Sequence, residues 1–195
     1  QVLICNTNNN IDKQGNIILQ LLDKGISGVA LVPTIVSATP LQHIRYLQAN
    51  KIPVIFCHRS VKGAKAPCIS WKVEDVGRIA GEAFIKNGHS KIMYFGRYRY
   101  QISQIHERSL RQVLEENGLS LPQNRVLYGR SSEGADEDAD TEQLLRNALE
   151  QSDPPTAILC NDDTEAERVY WIATQLGRKV PDDLAIIGFG DIYRD

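Results

Sequence analysis

The sequence predicts an α/β fold with parallel sheets flanked by helices. Three observations predict it. Short, unbroken apolar runs recur along the chain, as strands buried on both faces of a parallel sheet require. Longer amphipathic segments lie between them. The two kinds alternate nearly throughout, which implies right-handed crossovers.

Val2–Cys5 is the first strand candidate, followed by Gly28–Val32 and Val54–Cys57, with a helix at Pro40–Asn50. Cys68–Trp71 then follows Val54–Cys57 without a helix. The connection, Ser60–Pro67, is polar and contains Gly63. This break predicts two α/β lobes, residues 1–71 and 72–195. In the second, Val76, Ile79, Ala80, Ala83 and Phe84 keep helical spacing until Asn87-Gly88 supplies a stop. Strand Ile92–Phe95 follows. Leu110, Val113 and Leu114 repeat the helical device before Asn117-Gly118, and Val126–Tyr128 is the next strand. Ser131–Thr141 is acidic and suits a solvated loop and helix N-terminus. The D-x-D-x-D-G order of a calcium loop is absent from it. Strand Ala157–Cys160 leads to a helix carrying Ala166, Val169, Tyr170, Ala173 and Leu176, ended by Gly177. Leu184–Gly188 is the last strand.

Lys+Arg 22 against Asp+Glu 24 gives a net charge of −2. Neutralising nucleic-acid phosphates needs clustered Lys and Arg, so this balance argues against a nucleic-acid surface here. A hydrophobic share of 42% with 24% charged residues fits an ordinary globular domain. No apolar run approaches the ~20 residues of a membrane span. No basic-then-apolar signal opens the chain, and its strand-like start is expected to follow an upstream signal or domain. Cys5, Cys57, Cys68 and Cys160 form no C-x-x-C pair. Cys5, Cys57 and Cys160 end apolar runs and are expected to be reduced core residues, which favours a cytoplasmic location.

Catalytic signatures are missing. There is no G-x-G-x-x-G after a strand, no phosphate-binding G-x-x-x-x-G-K-[ST] and no G-x-S-x-G elbow. His43, His58, His89 and His106 show no paired metal spacing. Neither an enzyme, a metal nor a cofactor is expected. Asp162-Asp163 can be read as an acid pair for metal or phosphoryl chemistry. Ligand contact is the better reading, because open α/β sheets bind ligands at strand carboxyl ends. Gly96-Arg97-Tyr98-Arg99-Tyr100 also follows a strand. Arg97 and Arg99 are either a grip for a phosphate or carboxylate, or part of a solvated loop pairing with surface acids.

Three stretches together resemble the effector-binding domain of the LacI/GalR family of bacterial transcription repressors. They are Gly25–Pro33 with Ile52–Phe56; Glu74–Ala80 with Asn87–Ile92, similar to "D-x-x-G-R-x-A … G-H-x-x-I"; and Pro155–Asp163 with Val180–Phe189. Each alone is weak, but their order and spacing span nearly the whole chain. The resemblance implies a two-lobed, periplasmic-binding-protein-like (type I) fold with a small ligand in the cleft. It implies an incomplete one. The family's helix-turn-helix, hinge, first strand and first helix are expected before Gln1. Its last helices, and the return to the first lobe, are expected after Asp195.

Pocket positions carry over unevenly. Trp71 matches an aromatic that packs on a sugar ring; a place in the lobe-junction core is the other reading. Asp162-Asp163 matches an "Asn-Asp" pair, with Asp replacing the ligand-binding Asn and so an acceptor replacing an amide donor. His106 falls at a pocket Arg position and Arg108 lies two residues later; which of them reaches the cleft is open. Gly190 replaces the first Asp of "G-F-D-D" and Asp191 keeps the second. His58 replaces the Asp of "F-x-D-R", and Arg59 is kept. The effector is thus expected to be a sugar, sugar acid or sugar phosphate, read differently from those of the family's best-known members. Lobe closure on it would shift a two-state equilibrium. DNA contact is expected only through the upstream helix-turn-helix, with no membrane partner. A homodimer is expected through Pro40–Asn50 and Asp75–Asn87. A periplasmic sugar-binding protein of a transporter is the alternative.

Overall fold

The computed structural model describes residues 2–34, 39–96, 98–129 and 137–192, with 137–138 described by backbone alone. The chain divides into two compact units, Gln1–Trp71 and Lys72–Asp195.

In the first unit, Asn10 caps α1 (Ile11–Asp23), its side chain accepting from the Lys13 amide at 2.8 Å. β1 (Val29–Leu31), α2 (Leu41–Ala49), β2 (Val54–Cys57) and β3 (Cys68–Ile69) follow. The sheet is parallel in the order β1-β2-β3, with Ala30 opposite Ile55 and Phe56 opposite Cys68. Ile18, Ile44, Leu47, Val54 and Phe56 form its core. Each such burial is worth about 1.5–3 kcal/mol. Consecutive parallel strands normally need a helical crossover. Here the irregular segment after β2 serves, because Val61 enters the core and Ala64 and Ala66 pack against it.

Val2–Cys5 is not a strand. It pairs with neither edge of the described sheet, and Val2 and Ile4 are 86% and 94% exposed. An apolar run becomes a strand only where a neighbour takes its backbone hydrogen bonds. Cys5 is accordingly exposed and not a core residue. Cys57 is half-buried, Cys160 is buried, and all four cysteines are free.

The second unit runs α3 (Glu74–Lys86), β4 (Ile92–Gly96), α4 (Gln101–Glu116), a 3₁₀ turn (Gln123–Arg125), β5 (Val126–Tyr128), α5 (Glu137–Glu150), β6 (Ala157–Cys160), α6 (Asp163–Gln175) and β7 (Ala185–Ile187). Its parallel sheet has the order β5-β4-β6-β7. β4 and β6 are buried along their whole length, and alternate residues enter opposite cores. Ile92, Tyr94 and Leu159 pack under Ala80, Phe84, Leu110 and Leu114 of α3 and α4. Met93, Phe95, Ile158 and Cys160 pack under Leu145, Leu149, Val169 and Ile172 of α5 and α6. Helices thus cover both faces.

The α3–α4 contact depends on glycine. A Cβ at Gly77 would lie 2.2 Å from the His106 carbonyl oxygen, and one at Gly81 2.3 Å from Val113 Cγ1. The predicted stops hold: Gly88 and Gly118 follow α3 and α4 with φ of +81° and +72°. Among the described residues no helix is long and apolar enough to cross a membrane.

Candidate functional site

β4 and β6 are neighbours, yet the helices that leave them, α4 and α6, cover opposite faces. Such a reversal opens a crevice at the strand carboxyl ends. A linked set of polar side chains lies there. Tyr94 is buried, donates its hydroxyl to Asn161 Oδ1 at 3.3 Å and hydrogen-bonds with Ser103. Its ring lies 5.7 Å from that of Tyr128, whose hydroxyl donates to Glu107 Oε2 at 2.9 Å. Arg111 Nη2 donates to Glu107 Oε1, also at 2.9 Å. Burial pushes both phenols well above the usual tyrosine pKa. Tyr128 also raises that of Tyr94, and the bond to Glu107 raises that of Tyr128. Both are therefore neutral donors near pH 7. Gly96 keeps this end of β4 open, since a Cβ there would meet Tyr128 and Tyr94 at 3.3 Å.

β6 ends at Cys160, so the Asn-Asp pair at the strand end is Asn161-Asp162, one residue before the expected Asp162-Asp163. Asn161 Nδ2 donates to Asp162 Oδ2 at 3.2 Å. Asp162 caps α6, its Oδ1 accepting from the Glu165 amide at 3.1 Å. Asp163 braces the segment after β7. Its amide donates to the Phe189 carbonyl at 3.1 Å, and its Oδ2 accepts from the Ile192 amide at 2.9 Å. Both carboxylates serve the backbone, and no cluster of metal-ligating side chains occurs among the described residues.

His106 and Arg108 lie two residues apart, about 200° around the helix. His106 is buried with its ring edge-on to Phe189 at 5.6 Å. Arg108 is exposed and its Nε donates to the Gln104 carbonyl. His106 is therefore the one set beside the segment after β7. Arg99 is exposed, its guanidinium 5.5 Å from the centre of the Tyr128 ring. Arg97 lies outside the described residues, as does most of the acidic segment Ser131–Thr141. Asp191 is exposed and faces a groove between α6 and β7 with Tyr170 and Val180.

In the first unit, His58 and Trp71 are brought together at the ends of β2 and β3. His58 has φ of +73°, and the Arg59 amide donates back to the Cys57 carbonyl at 2.9 Å, a γ-turn that strains a non-glycine residue. Two bonds hold it: the His58 amide to the Ile69 carbonyl, and Ser70 Oγ to the His58 carbonyl, each 2.8 Å. The His58 and Trp71 rings meet edge to face, 3.9 Å between centroids. Burial, then the charge of Arg59, pulls the His58 pKa below its usual value. Trp71 is 41% exposed, so it is not a core residue.

Sequence reasoning missed Tyr94, Tyr128, Ser103, Glu107 and Asn161. Tyr94 is hidden inside an apolar run. Asn161 had a usable signal, as the first polar residue after one.

A family model described as a periplasmic binding protein-like domain matches residues 82–194, more than half of the chain. The HTH-type transcriptional repressor PurR of Photobacterium profundum is 25% identical over 197 residues, covering 98% of this chain and 55% of that protein. The chain thus spans about half the length of the curated relatives it matches. Two solved structures share the fold. A PurR family transcriptional regulator from Vibrio parahaemolyticus RIMD 2210633 has a TM-score of 0.77 at 19% identity, covering 94% of this chain and 67% of that one. A LacI family transcriptional regulator from Silicibacter pomeroyi has a TM-score of 0.77 at 17% identity, covering 99% and 70%.

Proposed function

The chain belongs to the periplasmic binding protein-like domain family, and from that premise we propose that it is the effector-binding part of a LacI-type transcription regulator. The resemblance to LacI/GalR effector-binding domains is borne out by the family match and the repressor relatives, as is the α/β class with parallel sheets. The same relatives favour a regulator over a transport protein.

The observation that carries the reading is the set of polar groups at the β4/β6 reversal. Tyr128 ends β5, Asn161 follows β6, and Ser103 and His106 lie on α4; Tyr94 touches Tyr128, Asn161 and Ser103, and His106 meets Phe189 after β7. Such a set orients a small polyhydroxylated molecule by hydrogen bonds while neighbouring rings cover its C–H faces. Units Gln1–Trp71 and Lys72–Asp195 are the two lobes of the family fold. The effector is a sugar or sugar derivative. Its binding shifts a two-state equilibrium felt by a DNA-binding segment outside this chain. The regulator acts in the cytoplasm as a homodimer and catalyses no reaction.

A thermal-shift screen of neutral sugars, sugar acids and sugar phosphates tests this. A ligand present at 100 times its Kd adds about 2.7 kcal/mol of stability. A reproducible rise in Tm with one chemical series supports the reading. No rise with any compound of the three series refutes it.

A further inference from the structure

Arg59 stands immediately after the left-handed turn at His58. Its Nε and Nη1 are buried and have no hydrogen-bond partner, and the neighbouring His58 Nδ1 is in the same condition. Arg168 Nε and Arg178 Nη1 are also buried without a hydrogen bond, but Arg168 stands 3.4 Å from Glu165 and Arg178 Nη2 donates to the Pro155 and Asp183 carbonyls. Arg78 pairs with Asp75 and Glu82, Arg111 with Glu107, and Arg125 with Asp153. Two guanidinium nitrogens withdrawn from water without an acceptor cost folding free energy even in a half-buried side chain, and burial lowers the Arg59 pKa. The turn that holds it there is itself strained and is pinned by Ser70 Oγ, just after β3. A strained turn that holds two unpartnered, buried guanidinium nitrogens beside an aromatic pair is costly as mere scaffolding. It is accounted for once an acceptor arrives from outside.

We infer that Arg59, with His58 Nδ1 beside it, is the anchor of an oxyanion subsite that reads a phosphate-ester or carboxylate group on the effector. The guanidinium fork matches such a group with charge-assisted hydrogen bonds. The Trp71 indole, edge-on to His58 and itself exposed, is placed to cover the carbon part of the same molecule. This inference rests on the effector-binding reading and narrows it to anionic sugar derivatives.

The experiment uses the chain as it stands, with calorimetry and thermal denaturation. The probes are inorganic phosphate, sugar phosphates, sugar acids and the parent neutral sugars, with potassium chloride at equal ionic strength as the control. Phosphate should raise Tm beyond the chloride control in the wild type and not in Arg59→Met. An anionic sugar should lose roughly tenfold or more in affinity in Arg59→Met, and less in Arg59→Lys, while its neutral parent binds both proteins alike. Comparing esters with acids tells phosphate from carboxylate. Without ligand, Arg59→Met should melt no lower than the wild type, because two buried nitrogens without hydrogen bonds have been removed. An arginine that merely braces the fold would lower it. Should Arg59→Met fail to fold, the inference is wrong on that count, and Arg59→Lys still gives the affinity ratio. Neutral sugars binding as tightly as their anionic derivatives, with Arg59 indifferent, would overturn the inference and leave the effector reading standing. Binding of no compound would overturn both.

Discussion

Replacing Gly77 with alanine should unseat the helix that carries Ser103 and His106. The added Cβ would lie 2.2 Å from the His106 carbonyl oxygen, 2.2 Å from Ser109 Oγ and 2.5 Å from the Leu110 amide nitrogen. Two of these atoms are backbone, so no rotamer change relieves the contact. α3 and α4 must separate by something on the order of 1 Å to reach ordinary packing distance. Overpacking of this kind costs about 1–3 kcal/mol, and the fixed backbone argues for the upper part of that range. Alanine's better helix propensity returns about 1 kcal/mol. The net expectation is a loss of roughly 1–2 kcal/mol, with weaker effector binding because Ser103 and His106 move with α4. Urea denaturation followed by tryptophan fluorescence gives the first number. Gly88→Ala is the control. It meets no atom within 4 Å but holds φ at +81°, so it should cost about 1 kcal/mol and leave binding alone. A Gly77→Ala protein as stable as the wild type would refute the helix contact.

Trp71→Ala should weaken effector binding by roughly 1–3 kcal/mol, as losing an aromatic contact does; because the side chain is largely exposed, Tm should hardly change. Asp162→Ala should cost about 1 kcal/mol of stability, the usual effect of a lost helix cap, measured by urea denaturation. Tyr94 and Tyr128 have folded-state pKa values raised above that of the unfolded chain. Their contribution is therefore fully present below the ordinary tyrosine value near 10 and is lost as pH rises above it. Tyrosinate absorbance should show two of the seven tyrosines ionising only as the protein unfolds in alkali.

Much of the second unit was legible in the sequence because its signals are local. Ile92–Phe95 and Ala157–Cys160 are unbroken apolar runs, and Gly88, Gly118 and Gly177 end helices through their own backbone freedom. Val2–Cys5 failed for a non-local reason: its apolarity is real, but pairing depends on a neighbouring strand. In the site, the shift from Asp162-Asp163 to Asn161-Asp162 is a one-residue boundary question, set by where the β6 ladder stops and the α6 cap begins. The choice between His106 and Arg108 needed the helix phase, which α3 fixes through Gly77. Tyr128 and Glu107 are 21 residues apart, and no local pattern joins them. Arg59 was noted only as a retained motif residue. Its burial follows from the turn at His58, a backbone state that histidine does not advertise.

Hydrogen–deuterium exchange with a compound from the thermal-shift screen tests the central claim most directly. An effector held at the strand carboxyl ends of the second unit should slow exchange in the segments following β4, β6 and β7, which include Ser103, Asn161 and Phe189. The strand amino ends, near Lys91 and Thr156, should be unaffected. Protection at those amino ends, with none at the carboxyl ends, would contradict the account.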